Sequence, residues 1–225
     1  MKARIFNSVN RKGEYIRYLY EPCEEEEKSP LLIYIHGAGG RGDDLDMLQK
    51  LPIIKEINNG RNIGATIVHP QCHWDTWFEA FDVLLEYIEY CIQWENVDKN
   101  RVYLCGSSMG GYTAWQVAMS RPEWFAALVP LCGGGMYWNA ERLAEIPIWA
   151  FHGALDEVVL PEETIHMVSA VNRKGGSAKL TVYPDLAHDV WSRTFHDENL
   201  WKWIFAQVKT GEDNCGRNEE RRNGE

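Results

Sequence analysis

Arg101-Val-Tyr-Leu-Cys-Gly-Ser-Ser-Met-Gly-Gly-Tyr-Thr-Ala-Trp-Gln-Val-Ala-Met119 is the stretch whose reading decides the fold. Val102 to Cys105 form a short apolar run with β-branched and aromatic members, as a strand covered on both faces requires. Ala114, Val117 and Ala118 then recur at helical spacing. Between the two lies Gly106-Ser107-Ser108-Met109-Gly110, a strand-to-helix turn so tight that its apex residue is held in a strained conformation. Glycine stands two places to either side because a Cβ there would meet the neighbouring chain. The turn offers Ser108 to solvent above the sheet. Its G-x-S-x-G pattern, flanked by strand and helix, is the signature of a serine nucleophile elbow.

A chain of 225 residues suits one α/β domain with a sizeable core. The sequence predicts a single domain over residues 1–209, followed by a polar, disordered tail at 210–225 with almost nothing to bury. A net charge of -10 argues against a polyanionic partner, so nucleic acid is not expected. The amino terminus lacks an apolar core of signal-peptide length, and no stretch approaches a membrane span. The six cysteines show no C-x-x-C pair or regular spacing, and are expected to be reduced thiols in a cytoplasmic protein.

Working outward from the elbow, Ala3 to Val9 and Glu14 to Tyr20 read as a hairpin turning at Gly13, on one edge of the sheet. The charge run Glu24 to Lys28 reads as a solvated loop. Leu31 to Ile35 is a continuous apolar strand that delivers His36-Gly37-Ala38-Gly39-Gly40 at its carboxyl end, where open parallel sheets place their sites. No Walker lysine with a following Ser/Thr comes after Gly40, so this glycine loop reads as an oxyanion hole rather than a nucleotide cradle. Asp44 to Ile57 is predicted as one helix and Ala65 to Val68 as the next strand, running into a loop His69 to Trp74 that lines the site. His69, Cys72 and His73 have no further ligand cluster to close a metal centre. Phe78 to Trp94 reads as an amphipathic covering helix. Phe125–Leu131 and Ile146–Phe151 follow as strands, then a helix at Pro161–Asn172, a strand at Lys179–Tyr183 and a closing helix at Glu198–Val208. This alternation implies a mostly parallel twisted sheet with helices on both faces.

A serine hydroxyl needs a base to remove its proton, and that base needs a partner to fix its tautomer. Along the chain the order to look for is serine, acid, histidine, with the acid and the base on loops after strands. Asp156 and His188 occupy those loops. Asp185, Asp189 and Asp197 are rival acids that all follow the last strand. His152 precedes the acid, and His166 belongs inside a helix.

The landmarks Ile35 to Gly40, Pro70-Gln71-Cys72, Gly106 to Gly111, Pro130 to Gly135, His152 to Asp156 and Ala187 to Trp191 together resemble an α/β-hydrolase fold esterase. The group is that of phospholipase/carboxylesterases and dienelactone-hydrolase-like proteins, including predicted peptidases of the prolyl-oligopeptidase family, and the likeness extends to feruloyl and acetyl esterases. It covers the chain from about Tyr18 to Val208. It implies the α/β-hydrolase fold, a small-molecule ester substrate and no cofactor. By that likeness Ser108 is the nucleophile, His188 the base and Asp156 the orienting acid, with the backbone N–H groups of Ala38 and Met109 as oxyanion donors. Ser108 stands where dienelactone hydrolases proper use cysteine, which moves the reading toward ordinary ester hydrolysis. A peptidase, thioesterase or lysophospholipase would use the same triad, and a binding module on a dead hydrolase fold has no physical need for all of these groups.

Only about fifteen residues, Cys132 to Ile146, fill the gap in which many such hydrolases insert a lid, so no sizeable cap is expected. The predicted rim is aromatic: Trp74, Trp77, Tyr137, Trp138, Trp191 and Phe195, of which Trp77, Trp138 and Trp191, with Gln71, are the expected substrate contacts.

Overall fold

In the computed structural model, which describes residues 1–23 and 27–209, eight strands form one sheet. They are β1 Lys2–Asn7, β2 Tyr15–Glu21, β3 Ser29–Ile35, β4 Thr66–Gln71, β5 Val97–Ser107, β6 Ala127–Leu131, β7 Ile148–Gly153 and β8 Ala178–Tyr183. Their spatial order is β1-β2-β4-β3-β5-β6-β7-β8. β1 and β2 pair antiparallel, as do β2 and β4, while every pairing from β4 through β3 to β8 is parallel. The hairpin is thus an antiparallel margin on a parallel sheet, and its turn needs Gly13 at φ +91, where side chains are disfavoured.

β3 is buried along its whole length. Leu31, Ile33 and Ile35 pack into one apolar layer, and Leu32 and Tyr34 into the other. The first layer lies under the helices α2 Phe81–Ile92, α3 Met109–Ser120 and α4 Pro161–Arg173. The second lies under α1 Pro52–Asn58, α5 Trp191–His196 and α6 Glu198–Phe205. Each large side chain buried this way contributes about 1.5–3 kcal/mol. Two faces of such residues hold the middle of the sheet rigid beneath the loops that leave its carboxyl ends.

Several boundaries differ from the sequence reading. The helix expected over Asp44–Ile57 is two pieces, a 3-10 helix Leu45–Lys50 and α1, because Pro52 opens the second and holds Leu51 extended at φ -71, ψ 141. β4 does not stop at Val68 but carries His69, Pro70 and Gln71 into the sheet, with Pro70 opposite Tyr18. α2 starts at Phe81, and the short helix α5 is an addition. Between β6 and β7 the chain holds only a 3-10 helix, Tyr137–Leu143, and no large cap is formed among the described residues. Residues 24–26 of the charge run, and the tail 210–225, lie outside the described residues. Cys23, Cys72, Cys91, Cys105 and Cys132 are free thiols, and Cys215 falls in that tail.

Candidate active site

Ser108 sits between the end of β5 and the first residue of α3 with φ 56 and ψ -121. Only it and Cys132 have a positive φ among the described non-glycine residues. A conformation of this kind stores about 1–3 kcal/mol of strain and persists because its surroundings enforce it. A Cβ on Gly106 would collide with the carbonyl of Gly110, and one on Gly110 with the carbonyl of Ile35, so the two flanking glycines let α3 start hard against β3 and β5. Ser107 points the other way: it is buried, and its Oγ lies 2.9 Å from the Tyr34 hydroxyl.

His188 reaches Ser108 from the loop after β8. Its Nε2 lies 2.8 Å from Ser108 Oγ and its Nδ1 2.7 Å from Asp156 Oδ2. The chain brings together three residues separated by 80 and 32 positions. Asp156 is 3% exposed, on the loop after β7. Gly153 permits that loop to touch the histidine loop, since a Cβ there would strike the carbonyls of Leu186 and Ala187. The other carboxylate oxygen accepts the N–H groups of Val158 (2.9 Å) and Val159 (3.0 Å). Burial pushes the Asp156 carboxyl upward, but hydrogen bonds from His188, Val159 and Val158 outweigh it and leave the pKa lowered. The acid therefore stays ionised at neutral pH.

The sequence reading set His152 aside as a rival base, and its place is beneath the acid. It is fully buried, with Nε2 3.2 Å from Asp156 Oδ2 and 2.9 Å from the Val159 carbonyl, while Nδ1 meets Thr164 Oγ1 at 2.6 Å. Two acceptors facing Nε2 require it to carry a proton. Its spacing four residues before Asp156, across the turn that ends β7, was the available signal. The rival acids are engaged elsewhere: Asp185 holds Arg193 through two bonds of 2.7 and 2.8 Å, Asp189 accepts from Ser192, and Asp197 caps α6. His166 is exposed on α4.

On the other side of Ser108 the loop His36–Gly40 is held from beneath by hydrogen bonds of buried neutral groups, with the exposed Arg41 Nε donating to the Ala38 carbonyl (3.1 Å). His36 Nδ1 donates to the Gly37 carbonyl (2.6 Å), and its Nε2 accepts the Cys72 N–H (3.0 Å). Burial lowers the His36 pKa to about 4, so the ring is uncharged at neutral pH. His69 behind it is lowered to about 3, again by burial first and by His36 second. A Cβ on Gly37 would lie 3.0 Å from that of Ser108, which fixes how near this loop approaches. Ala38 and Met109 each open a helical turn, Ala38 that of Ala38–Gly40 and Met109 that of α3. Their N–H groups belong to the set without an intrahelical acceptor.

Two expected substrate contacts are structural instead. Trp77 is fully buried, its Nε1 donating 3.2 Å to the His36 carbonyl. Gln71 is 1% exposed because β4 extends through it, and its Nε2 donates to the carbonyls of Gly40 (3.1 Å) and Asp44 (2.9 Å). Phe195, expected on the rim, is likewise core. Trp138 and Tyr137 are exposed, Trp74 is half-buried and stacked on His73, and Trp191 meets the His188 ring edge-to-face at 5.4 Å. Ligand-type atoms of Cys132, His152 and Asp156 lie within 4.8 Å of one another. All three are committed to the acid loop, with Cys132 Sγ donating to the His188 carbonyl.

Residues 55–199, well over half of the chain, match the family model described as the dienelactone hydrolase family. The chain belongs to that family. This dienelactone hydrolase family member is 25% identical over 150 residues to the bifunctional acetylxylan esterase/xylanase XynS20E of Neocallimastix patriciarum, an alignment covering 63% of this chain and 21% of that protein. Among solved structures it is similar to a thermostable esterase, with a TM-score of 0.80 at 28% identity over 92% of this chain and 63% of the other. Est1E from Butyrivibrio proteoclasticus, at 17% identity, shares the fold with a TM-score of 0.64, over 91% of this chain and 95% of that one. The chain spans about a fifth of the curated relative and under two thirds of the thermostable esterase.

Proposed function

We propose that this protein is a serine carboxylester hydrolase that works through an acyl-enzyme on short-acyl, aryl or carbohydrate-linked esters. The observation that carries the reading is the unbroken relay from Ser108 Oγ through His188 to Asp156, at 2.8 and 2.7 Å. In this mechanism His188 Nε2 takes the proton as Ser108 Oγ attacks the ester carbonyl. Asp156 holds Nδ1–H and stabilises the imidazolium so formed. The N–H groups of Ala38 and Met109 receive the oxyanion. His188 then protonates the departing alcohol, and water attacks the acyl-enzyme with His188 again as base. A bifunctional acetylxylan esterase among the relatives, and an esterase among the structural neighbours above 25% identity, support this chemistry. No helix of the described residues is long and apolar enough to cross a membrane. A cytoplasmic setting, consistent with five free thiols, belongs to the same proposal; recovery in an exported fraction would refute it.

The test is Ser108→Ala. It should lower kcat on p-nitrophenyl acetate by about 10⁴ or more with the fold intact, and abolish labelling by a fluorophosphonate probe. Labelling that survives in Ser108→Ala and disappears in Ser107→Ala would overturn the assignment.

A further inference from the structure

The helix that begins beside Ser108 leaves one narrow stripe of itself uncovered. In Ser108 and α3 together, Ser108, Met109, Tyr112, Gln116 and Ser120 are part-exposed and the other residues are buried. Ser108, Tyr112, Gln116 and Ser120 are spaced by four and lie one above another on the same face. Tyr112 and Gln116 form the floor of a cavity of about 530 Å³, walled by Phe78, Phe81, Met136 and Glu163. The floor therefore runs from the proposed nucleophile directly into an apolar-walled space large enough for a ring.

One end of that space is electrically distinct. Among the described residues Glu163 is the sole charged side chain in the lining, and no basic one lines it. Tyr112, whose phenol pKa is raised by burial and by the Glu163 charge, lies beside that carboxylate, both packing against Gly134. Gly134 is required for this approach, because a Cβ there would collide with Glu163 Oε2 and crowd the Tyr112 ring at 3.0 Å. A carboxylate at the edge of such a space keeps lone-pair sites open to a ligand donor. It attracts a hydroxyl or ammonium group and repels another carboxylate.

We propose that this cavity is the subsite for the body of the ester beyond its reacting carbonyl, that it takes a ring-sized apolar group tipped with a hydrogen-bond donor, and that Glu163 makes it refuse one tipped with a carboxylate. The inference rests on the esterase reading above, because that reading places the ester carbonyl at Ser108. Glu163 also lies in the first turn of α4, where an acid stabilises the helix through its dipole. A purely structural Glu163 would affect melting and leave substrate choice alone.

The experiment compares kcat/KM for methyl 3-phenylpropanoate with its 4-hydroxymethyl, 4-aminomethyl and 4-carboxy derivatives, with p-nitrophenyl acetate as a substrate too small to fill the cavity. Both donor-tipped esters should match or exceed the parent, the ammonium leading if charge dominates and the alcohol if hydrogen bonding does. The carboxylate should fall roughly tenfold below the parent. Glu163→Gln should remove most of that penalty, and Gln116→Glu, which adds a second acid to the floor, should deepen it. If p-nitrophenyl acetate is not turned over, the esterase reading fails and takes the subsite with it. If acetate is turned over while the carboxylate ester equals the parent, or while neither variant moves the ratio, the subsite alone is overturned.

Discussion

The two sides of Ser108 are built on opposite electrostatic principles. Toward β7 and β8 the site is made of side chains: Asp156 is gripped by two backbone N–H groups and the His188 ring, with the His152 ring against the same oxygen. Toward β3 and β4 it is made of backbone, with Gly37 to Gly40 pinned from within by neutral groups, namely the His36 ring, the Gln71 amide and the Trp77 indole, and held on the exposed side by the Arg41 guanidinium donating to the Ala38 carbonyl. A proton-transferring imidazole needs a fixed charge beside it, and burial of that charge requires several donors. An oxyanion hole needs N–H groups that are already aimed, which rigid packing supplies without any net charge. A mutation that removes charge should therefore damage one side, and a mutation that adds volume should damage the other.

The charged side gives the largest expected effect. Asp156→Asn keeps the size of the side chain but presents Nδ1 with an amide that favours the wrong tautomer, which should reduce kcat by about 10³–10⁴. Asp185→Asn should do far less, because its partners are the two terminal nitrogens of Arg193. Asp189→Asn, which loses only a contact with Ser192, should also do little. Steady-state kinetics on p-nitrophenyl acetate decides this, and equal losses at Asp156 and Asp189 would show that the acid has been misplaced.

The backbone side should respond to a single methyl group. A Cβ on Gly40 would lie 2.6 Å from His36 Cγ and 2.7 Å from Nδ1, so Gly40→Ala must displace either the ring or the loop carrying Ala38. An oxyanion donor moved out of line costs about 10²–10³ in kcat, and Gly40→Ala should fall near the lower figure with KM little changed. An unchanged kcat in a variant that melts normally would mean that this loop does not receive the oxyanion.

The two sides were unequally legible in the sequence, and the reason is physical. Ser108, Asp156 and His188 each follow a strand and carry chemistry in their side chains, so residue type, chain order and position after an apolar run sufficed to pick out three side chains that the structure brings within hydrogen-bond reach of one another. The mostly parallel sheet with helices on both faces followed from alternation in the same way, whereas the strand order, with β4 between β2 and β3, did not. What the backbone side needs is packing, which single residues do not announce. Trp77 and Gln71 have the composition of a sugar-binding rim, yet the extension of β4 past Pro70 turns Gln71 inward, and Trp77 covers the His36 carbonyl. The break at Pro52 was visible as a proline inside the expected helix Asp44–Ile57, where it opens a second helix. His152 was weighed only as a competitor of His188, because a sequence shows no difference between a base and the ring that holds its acid in place.

Acid should separate the two sides without any mutation. His36 and His69 have folded pKa values of about 4 and about 3, lowered chiefly by burial, against about 6.5 in an unfolded chain. Between pH 6.5 and pH 4 the unfolded state binds up to two protons that the folded state refuses, so unfolding becomes easier as the pH falls. The loss should reach about 2 kcal/mol between pH 6.5 and pH 5.5, a slope approaching two protons, and the curve should be flat in this respect above pH 7.5. Asp156 behaves differently: its lowered pKa gives stability that is present above the unfolded value near 3.9 and is lost only as the pH falls through the folded one. It is silent in the histidine window. Urea midpoints measured from pH 7.5 to pH 4.5 should reveal the slope, and His69→Gln, which keeps a donor for the Tyr34 carbonyl but cannot titrate, should reduce it by about one proton. A stability that stays level from pH 6.5 to pH 4.5 would mean that the neutral clamp beneath Gly37 to Gly40 is not what holds the backbone side in place.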